Sequence, residues 1–192
     1  MLTPPYPVSK LTVDGYHRMI QTGILTEDDP VEFLEGWIVP KMPHNPPHDG
    51  TVQRANKALS RRLPPGWEVR VQSAITTDDS EPEPDLAVVR EDVNDYMTYH
   101  PGPREIGAVI EVADSSLARD RDDKCRLYAR AGITCYWIVN LMDRVIEVYT
   151  DPTGPDPSPS YRSRQDYRIQ DGVPLMLDGQ ERGPISVREL LP

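Results

Sequence analysis

Hydrophobic and polar residues recur along the chain with periods that change from segment to segment, and each period predicts one kind of element. Apolar steps of three and four residues indicate amphipathic helices, and short alternating or continuous apolar runs indicate strands. In chain order, the pattern predicts a helix at residues 9–23, two short strands within 31–42 that turn at Glu35 and Gly36, a helix at 48–63, strands at 67–75, 85–89 and 106–112, a helix at 115–131, strands at 133–139 and 145–149, and a short helix after Ser186.

The order of these elements favours one α/β (α+β) fold, a mixed central β-sheet flanked by helices. The run from Ile106 to Val112 is continuously apolar, as expected of a strand that is buried on both faces. The 21 prolines cluster between elements, so we predict a single domain over residues 1–192, with an extended N-terminus at 1–9 and a proline-rich loop at 151–160. No glycine-rich phosphate loop of the GxGxxG or GxxxxGK[ST] type is present, which argues against a nucleotide-binding fold.

Composition predicts the cellular compartment and limits how the protein could bind nucleic acid. No segment approaches the roughly 20 apolar residues that cross a bilayer, so we predict a cytoplasmic protein without a membrane partner, with Cys125 and Cys135 as buried reduced thiols. The formal net charge is -10, the opposite of what a non-specific nucleic-acid binder carries. A protein that acts on DNA would therefore need a divalent cation and a local basic patch. The predicted helix 48–63 offers such a patch in Arg54, Lys57 and Arg61, although a solvated helix face explains the same stripe.

Two carboxylates fall in apolar surroundings. Asp85 opens a predicted strand, and Glu111 lies inside IGAVIEV, where a buried ionised carboxylate costs several kcal/mol unless it is paired or bound to a metal. One interpretation is that Glu111 reaches solvent at the strand end or pairs with an arginine. The other is that Asp85 and Glu111 share a divalent cation, and oxygen ligands with no nearby His or Cys favour Mg²⁺ or Mn²⁺.

The following helix supplies a candidate basic group. Asp120, Lys124 and Tyr128 are spaced by four residues and share one helix face, which would place Lys124 beside the two carboxylates if that face looks toward the strand ends. Lys124 could then orient the nucleophile or stabilise charge at a phosphoryl oxygen. The alternative is an ordinary surface ion pair between Asp120 and Lys124.

Two other kinds of site are not supported by the sequence. His44 and His48 have i,i+4 spacing, but Pro46 and Pro47 lie between them and preclude a shared helix, so we predict no zinc-protease-like pair. No G-x-S-x-G elbow is present, and Ser115-Ser116 is better explained as a helix cap than as part of a Ser–His–Asp site.

Over about residues 10–150, the sequence resembles the Uma-two family of restriction-endonuclease-like proteins, which are common in bacteria and particularly in cyanobacteria. The residues that carry the resemblance are VEFLEGWIV, the downstream His48, SEPEPDLAVV, VIEVADSSLARDRDDKCRLYARAGITCYWIVN and RVIEVY. The resemblance implies the PD-(D/E)XK nuclease superfamily, with a mixed sheet flanked by helices and a metal-dependent site that cleaves phosphodiesters.

By this resemblance, Asp85 corresponds to the aspartate of the PD motif and Glu111 to the acidic residue of the second half-motif. Ala113 stands where the superfamily has a lysine, and Lys124 on the next helix takes its place in this family. Glu32 matches an early acidic position that could complete a metal shell, although a solvent-facing strand residue would fit equally well. His48 matches a family histidine, and a lone histidine is more often structural than catalytic.

These observations together predict an endonuclease that hydrolyses DNA with Mg²⁺ or Mn²⁺, in which Asp85 and Glu111 bind the metal and Lys124 acts as base or charge stabiliser. We expect a homo-oligomer, with a dimer favoured. The alternative is a catalytically idle interaction module that keeps the nuclease fold. Residues 78–95 support that alternative, because they hold eight acidic residues against the single base Arg90 and would repel DNA unless metals bind.

Overall fold

The N-terminal part of the chain forms a helix, a hairpin and a second helix, as its pattern predicts. The computed structural model describes residues 9–192, so the predicted extended segment 1–9 lies outside the described residues except for Ser9. These first elements are α1 (Val13–Gln21), β1 (Val31–Leu34), β2 (Trp37–Pro40) and α2 (Pro46–Ser60). Glu35 and Gly36 join β1 to β2 with φ angles of 51° and 83°, the positive pair that a tight type I′ hairpin turn requires.

Helix α2 begins two residues earlier than its apolar pattern predicts. The side chain of Asn45 accepts a hydrogen bond from the His48 N–H (3.0 Å) and caps the helix, and Pro46 and Pro47 occupy the first turn, where their missing N–H groups cost nothing. The prolines therefore start the helix that carries His48 and leave His44 before it.

A six-stranded mixed sheet lies at the centre, with the strand order β3-β4-β5-β6-β7-β8. Its strands are β3 (Trp67–Val71), β4 (Leu86–Arg90), β5 (Ile106–Ala113), β6 (Cys135–Asn140), β7 (Val145–Pro152) and β8 (Tyr161–Tyr167). Neighbouring strands are antiparallel except β5 and β6, which are parallel and need a crossover connection.

The crossover is one helical segment with a π-helical turn in its middle. It consists of α3 (Leu117–Arg119), the π-helical turn Asp120–Lys124 and α4 (Cys125–Arg130). It ends before Gly132, whose φ of 76° suits the left-handed residue that follows many helices. We call this whole segment, residues 117–130, the crossover helix.

Both faces of the central sheet are covered. One face packs against α2 and a second hairpin, β9 (Gly172–Leu177) and β10 (Gln180–Ser186), which leads into the short helix α5 (Val187–Leu190). The other face packs against the crossover helix and β1. All residues of β5 are buried, which confirms that this strand lies in the interior.

The fold class predicted from the sequence is confirmed, and the omissions lie in the C-terminal third. Strand β8 is an edge strand with mostly exposed residues, so it lacks the apolar alternation that marks a half-buried strand. In the proline-rich segment, β7 runs to Pro152, and the Thr153 N–H donates to the Ser160 carbonyl (2.9 Å) across the loop to β8. Cys125 and Cys135 are buried free thiols, as predicted. Among residues 9–192, no helix has the length and apolar character to cross a membrane.

Candidate active site

An open cavity of about 360 Å³ lies where β4 begins and β5 ends, beside the start of the crossover helix. Five segments supply the side chains considered below: Glu32 in β1, His44 and His48 around the start of α2, Asp85 just before β4, Glu111 in β5, and Asp120 and Lys124 in the π-helical turn. Segments that are far apart in sequence therefore meet at one end of the sheet.

Asp85 and Glu111 are neighbours because of the register between β4 and β5. The ladder pairs Leu86 with Ile110, which places Asp85 opposite Glu111. The Asp85 N–H donates to Glu111 Oε2 (3.3 Å), and the Val112 N–H donates to Asp85 Oδ2 (2.8 Å). Each of the two acidic residues is only 6% exposed, so the interpretation in which Glu111 reaches solvent is wrong.

Lys124 lies between two glutamates. Its ammonium donates to Glu32 Oε1 (2.8 Å) and lies 3.2 Å from Glu111 Oε1. Burial disfavours the charged amine, but Glu111 and Glu32 outweigh burial and raise the pKa of Lys124 above its ordinary value. The alternative of a surface ion pair with Asp120 is wrong, because both side chains are buried and the partners of Lys124 are the two glutamates.

Glu32 is an anchor for basic side chains. Its Oε1 accepts hydrogen bonds from Lys124 and from the Glu83 N–H (3.0 Å), and its Oε2 accepts one from Arg119 (3.0 Å). Burial alone would raise the pKa of Glu32, but the ammonium of Lys124 and these hydrogen bonds lower it. The interpretation in which Glu32 faces solvent is wrong, since the residue is 5% exposed.

Tyr128 and Asp120 complete the buried polar cluster, which consists of Glu32, Asp85, Glu111, Asp120, Lys124 and Tyr128. The Tyr128 hydroxyl donates to Glu111 Oε1 (2.7 Å), and burial together with the nearby Glu111 raises the pKa of this phenol well above its ordinary value. Asp120 Oδ2 accepts a hydrogen bond from the Ser116 hydroxyl (2.6 Å). Ser116 precedes α3 as predicted, but its side chain binds Asp120 and makes no capping hydrogen bond to the backbone.

The cluster has more carboxyl groups than basic partners. Its four carboxylates belong to residues that are 4–6% exposed: Glu32, Asp85, Glu111 and Asp120. The cations in direct contact with them are Lys124 and Arg119, together with the imidazole of His48. Burial raises the pKa of Glu111, with Lys124 opposing the shift and Asp85 adding to it, so the carboxylate charge there is incompletely compensated. A cation bound in the cavity would relieve this excess.

Two histidines lie against Asp85. His48 Nε2 is 3.0 Å from Asp85 Oδ2, and the rings of His44 and His48 stack with their centroids 4.2 Å apart. Pro46 and Pro47 do keep the two histidines off a common helix, but the expectation of carboxylate ligands with no nearby His is wrong. The turn into α2 brings both imidazoles to the cavity, and spacing along a helix is only one way to bring ligands together.

The family model described as "Uma2: Putative restriction endonuclease" matches residues 13–179, most of the chain. The chain belongs to the Uma2 family. No curated protein matches the sequence. The family match confirms the resemblance carried by the strand and helix motifs and extends it beyond residue 150.

A solved structure has the same fold as this Uma2 chain. It is a crystal structure described as "a putative nuclease belonging to DUF820" from Anabaena variabilis. The TM-score is 0.68 at 15% sequence identity, over 94% of this chain and 97% of the other. Family and fold together support a nuclease-like function for the Uma2 protein.

The basic stripe of α2 does not line the cavity of this Uma2 chain. All three side chains, Arg54, Lys57 and Arg61, are exposed, and the Arg54 guanidinium also donates to the Arg188 carbonyl in α5 (2.7 Å).

Sequence reasoning missed His44 and Arg119. The prolines between His44 and His48 argue only against a shared helix, and not against proximity of the two rings. Arg119 gives no signal in the sequence beyond a charge on a helix. Arg119 reaches Glu32 only because the hairpin β1–β2 folds beside the crossover helix. Such a contact between distant segments has no local pattern.

Proposed function

We propose that this Uma2 protein is a cytoplasmic, Mg²⁺- or Mn²⁺-dependent endonuclease that hydrolyses phosphodiester bonds in DNA. The observation that carries the proposal is the juxtaposition of Asp85 and Glu111 in an open cavity, with the ammonium of Lys124 directly against Glu111. Two carboxylates at the ends of neighbouring strands, with a basic side chain from the crossover helix beside them, are the groups that a metal-assisted phosphodiesterase needs. Membership of the Uma2 family supports the same chemistry.

The residues fit a hard divalent cation. Asp85 and Glu111 offer carboxyl oxygens, which are the ligands that Mg²⁺ prefers, and burial raises the pKa of Glu111, so a bound cation would favour its ionised form. Glu111 Oε1 contacts Tyr128 and Lys124, whereas Oε2, among residues 9–192, accepts only the long hydrogen bond from the Asp85 N–H (3.3 Å) and is the oxygen with fewer partners. When bound, the metal would supply charge stabilisation and a more acidic water.

Lys124 suits the role of charge stabiliser better than that of base. A general base must lose its proton near neutral pH, but Glu111 and Glu32 raise the pKa of Lys124 and keep it protonated. A protonated amine within reach of the cavity can stabilise negative charge that develops on a phosphoryl oxygen. Glu32 then acts as a positioning residue, because both of its oxygens already hold Lys124, Arg119 and a backbone N–H.

Contact between the exposed basic residues of α2 and the DNA backbone is tested separately. Lys57 and Arg61 are exposed and could each neutralise one phosphate, and Arg54 is exposed as well but already donates to the Arg188 carbonyl. Changing Lys57 and Arg61 to Gln should reduce the salt dependence of DNA binding by about two counterions. An unchanged slope would assign the stripe to an ordinary solvated helix face.

The decisive experiment measures cleavage of single- and double-stranded DNA in Mg²⁺ and in Mn²⁺. Asp85→Asn should abolish cleavage and also the rise in melting temperature that Mn²⁺ gives the wild type, because binding to the native state stabilises it. Asp156→Asn, which removes one charge from the exposed β7–β8 loop, is the control and should behave as wild type.

The alternative of an idle interaction module makes the opposite prediction. Purified protein would cut no DNA in either metal, and Asp85→Asn would leave both melting temperature and partner binding unchanged. The expected homodimer is a separate prediction, which sedimentation equilibrium checks directly.

A further inference from the structure

We propose that His44, His48 and Asp85 form a second metal position, one that takes a transition ion such as Zn²⁺ or Co²⁺ and not Mg²⁺. One ligand atom from each of the three residues lies within 4.8 Å of the other two. The position shares Asp85 with the proposed Mg²⁺ site and in that respect rests on the proposed function. Its other ligands are the imidazoles of His44 and His48, and Glu111 is not one of its ligands.

The backbone places these ligands before any metal binds. The Asn45 cap fixes the first turn of α2, so that His48 Nε2 points at Asp85 Oδ2 (3.0 Å). His44, just before the cap, stacks on the His48 ring at an interplanar angle of 25°. Tetrahedral zinc with bonds of about 2.0–2.1 Å needs ligand atoms about 3.3 Å apart. One ligand atom of His44 already lies within 4.8 Å of a ligand atom of each of the other two residues, so only a small adjustment of this half-exposed side chain is needed.

The groups behind the imidazoles match those of known histidine metal sites. His48 Nδ1 lies 3.3 Å from Asp49 Oδ1, so its two ring nitrogens face carboxylates on opposite sides. His44 Nδ1 lies 3.7 Å from the same Asp49 oxygen and 3.1 Å from the Gln72 side-chain amide. An outer carboxylate that orients a histidine ring and makes it a stronger ligand is the usual partner of a metal-bound imidazole.

Ligand type decides which ion this position prefers. Two neutral imidazoles and one carboxylate suit Zn²⁺, Co²⁺ and related ions, whereas Mg²⁺ binds oxygen and is a poor match for nitrogen ligands. Three protein ligands at the wall of an open cavity leave a further coordination position for water or a phosphate oxygen, as in catalytic zinc sites and unlike closed structural ones.

The test compares metals and variants in the full-length protein. Co²⁺ is the spectroscopic probe, because four- or five-coordinate Co²⁺ absorbs visible light much more strongly than the hydrated ion, and calorimetry with Zn²⁺ and Mg²⁺ gives affinities. The chain has four histidines, so His17→Gln, outside the cavity, is the matched control for His44→Gln. Circular dichroism confirms that each variant is folded.

We expect one Co²⁺ per chain with strong visible absorption, an affinity at least tenfold lower in His44→Gln, and no change in His17→Gln. Asp49→Asn should weaken Co²⁺ binding about 10- to 100-fold, the range for loss of a group that orients a ligand. Equal affinity of His44→Gln and wild type, within twofold, would overturn the proposal, as would weak octahedral absorption alone.

Glu111→Gln separates this inference from the proposed nuclease function. It should remove Mg²⁺ binding and leave the Co²⁺ spectrum intact, because Glu111 is not one of the three ligands. Loss of the Co²⁺ spectrum in Glu111→Gln, with His44→Gln unaffected, would place the ion at the Asp85–Glu111 pair and refute a separate position. Absence of DNA cleavage, with Co²⁺ binding that depends on His44, would refute the nuclease and leave the metal position standing.

Discussion

Glu111 and Glu147 occupy equivalent places in the sheet, but their pKa values are shifted in opposite directions. Glu111 on β5 pairs across the ladder with Ile138 on β6, which in turn pairs with Glu147 on β7. The two glutamates therefore lie in one row, two strands apart on the same face, beneath the crossover helix. Each meets a basic residue of the π-helical turn, Lys124 for Glu111 and Arg121 for Glu147.

The difference lies in how completely each charge is compensated. Glu147 accepts a bidentate pair of hydrogen bonds from Arg121 and further hydrogen bonds from Asn140 and Tyr149. A guanidinium nitrogen of Arg164 lies 3.2 Å from Glu147 Oε2. Burial would raise the pKa of Glu147, but these partners lower it, whereas the pKa of Glu111 is raised. A buried carboxylate marks a candidate site when hydrogen bonds and basic side chains do not fully compensate its charge and an open cavity adjoins it. A fully compensated buried carboxylate has a structural role.

The largest expected effect comes from removing the basic partner of each glutamate. Lys124→Met should reduce DNA cleavage by about 10²- to 10³-fold, the scale for loss of one transition-state stabiliser, while metal affinity holds or rises because a repelling cation is gone. Arg121→Met should leave cleavage by the folded protein near the wild-type rate. Equal cleavage by Lys124→Met and wild type would remove the distinction between the two glutamates.

Removing each carboxylate should separate stability from metal binding. Glu147→Gln should cost about 3 kcal/mol of unfolding free energy, near the lower end for a broken buried ion pair because Arg121 keeps partial contact with water. Glu111→Gln should not destabilise the metal-free protein near neutral pH, because the raised pKa of Glu111 means that ionisation of this buried carboxyl costs stability. Urea denaturation measures both, and a larger loss in Glu111→Gln would reverse the comparison.

The two glutamates should also respond to pH in opposite directions. The folded-state pKa of Glu111 is raised, so between its unfolded and folded pKa values the native state binds more protons and stability falls as pH rises, by at most about 1.4 kcal/mol per unit. The stability difference between wild type and Glu111→Gln isolates this contribution. The pKa of Glu147 is lowered, so its contribution is present above the ordinary glutamate pKa and is lost as pH falls through the folded value.

Saturating Mg²⁺ provides the control for the pH experiment. A bound divalent cation lowers the pKa of its ligand, so the pH dependence of the Glu111 difference should disappear while that of Glu147 stays the same. An unchanged profile in Mg²⁺ would mean that Glu111 binds no metal.

The smallest expected effect is at the outer partner of Glu147. Arg164 has a side chain 40% exposed, so Arg164→Ala should cost less than about 1 kcal/mol in urea denaturation. A cost as large as that of Glu147→Gln would show that Arg164, and not Arg121, provides the main compensation.

The sequence alone determined the fold class and the central pair of acids. Continuous apolar runs predicted the interior strands, and the cost of burying Glu111 in IGAVIEV marked it as needing a partner. The same signal stands in RVIEVY, where Glu147 also interrupts an apolar run, but a charge in a strand does not reveal its partners.

Tertiary structure decided which of these acids is compensated and which ligands converge. Arg121 and Arg164 reach Glu147 because the crossover helix and β8 fold to either side of it, and His48 reaches Asp85 across 37 residues of sequence. The π-helical turn directs Lys124 and Arg121 to different glutamates. Local periodicity reports the burial of a side chain, but electrostatic compensation depends on distances between segments that only the packed chain sets.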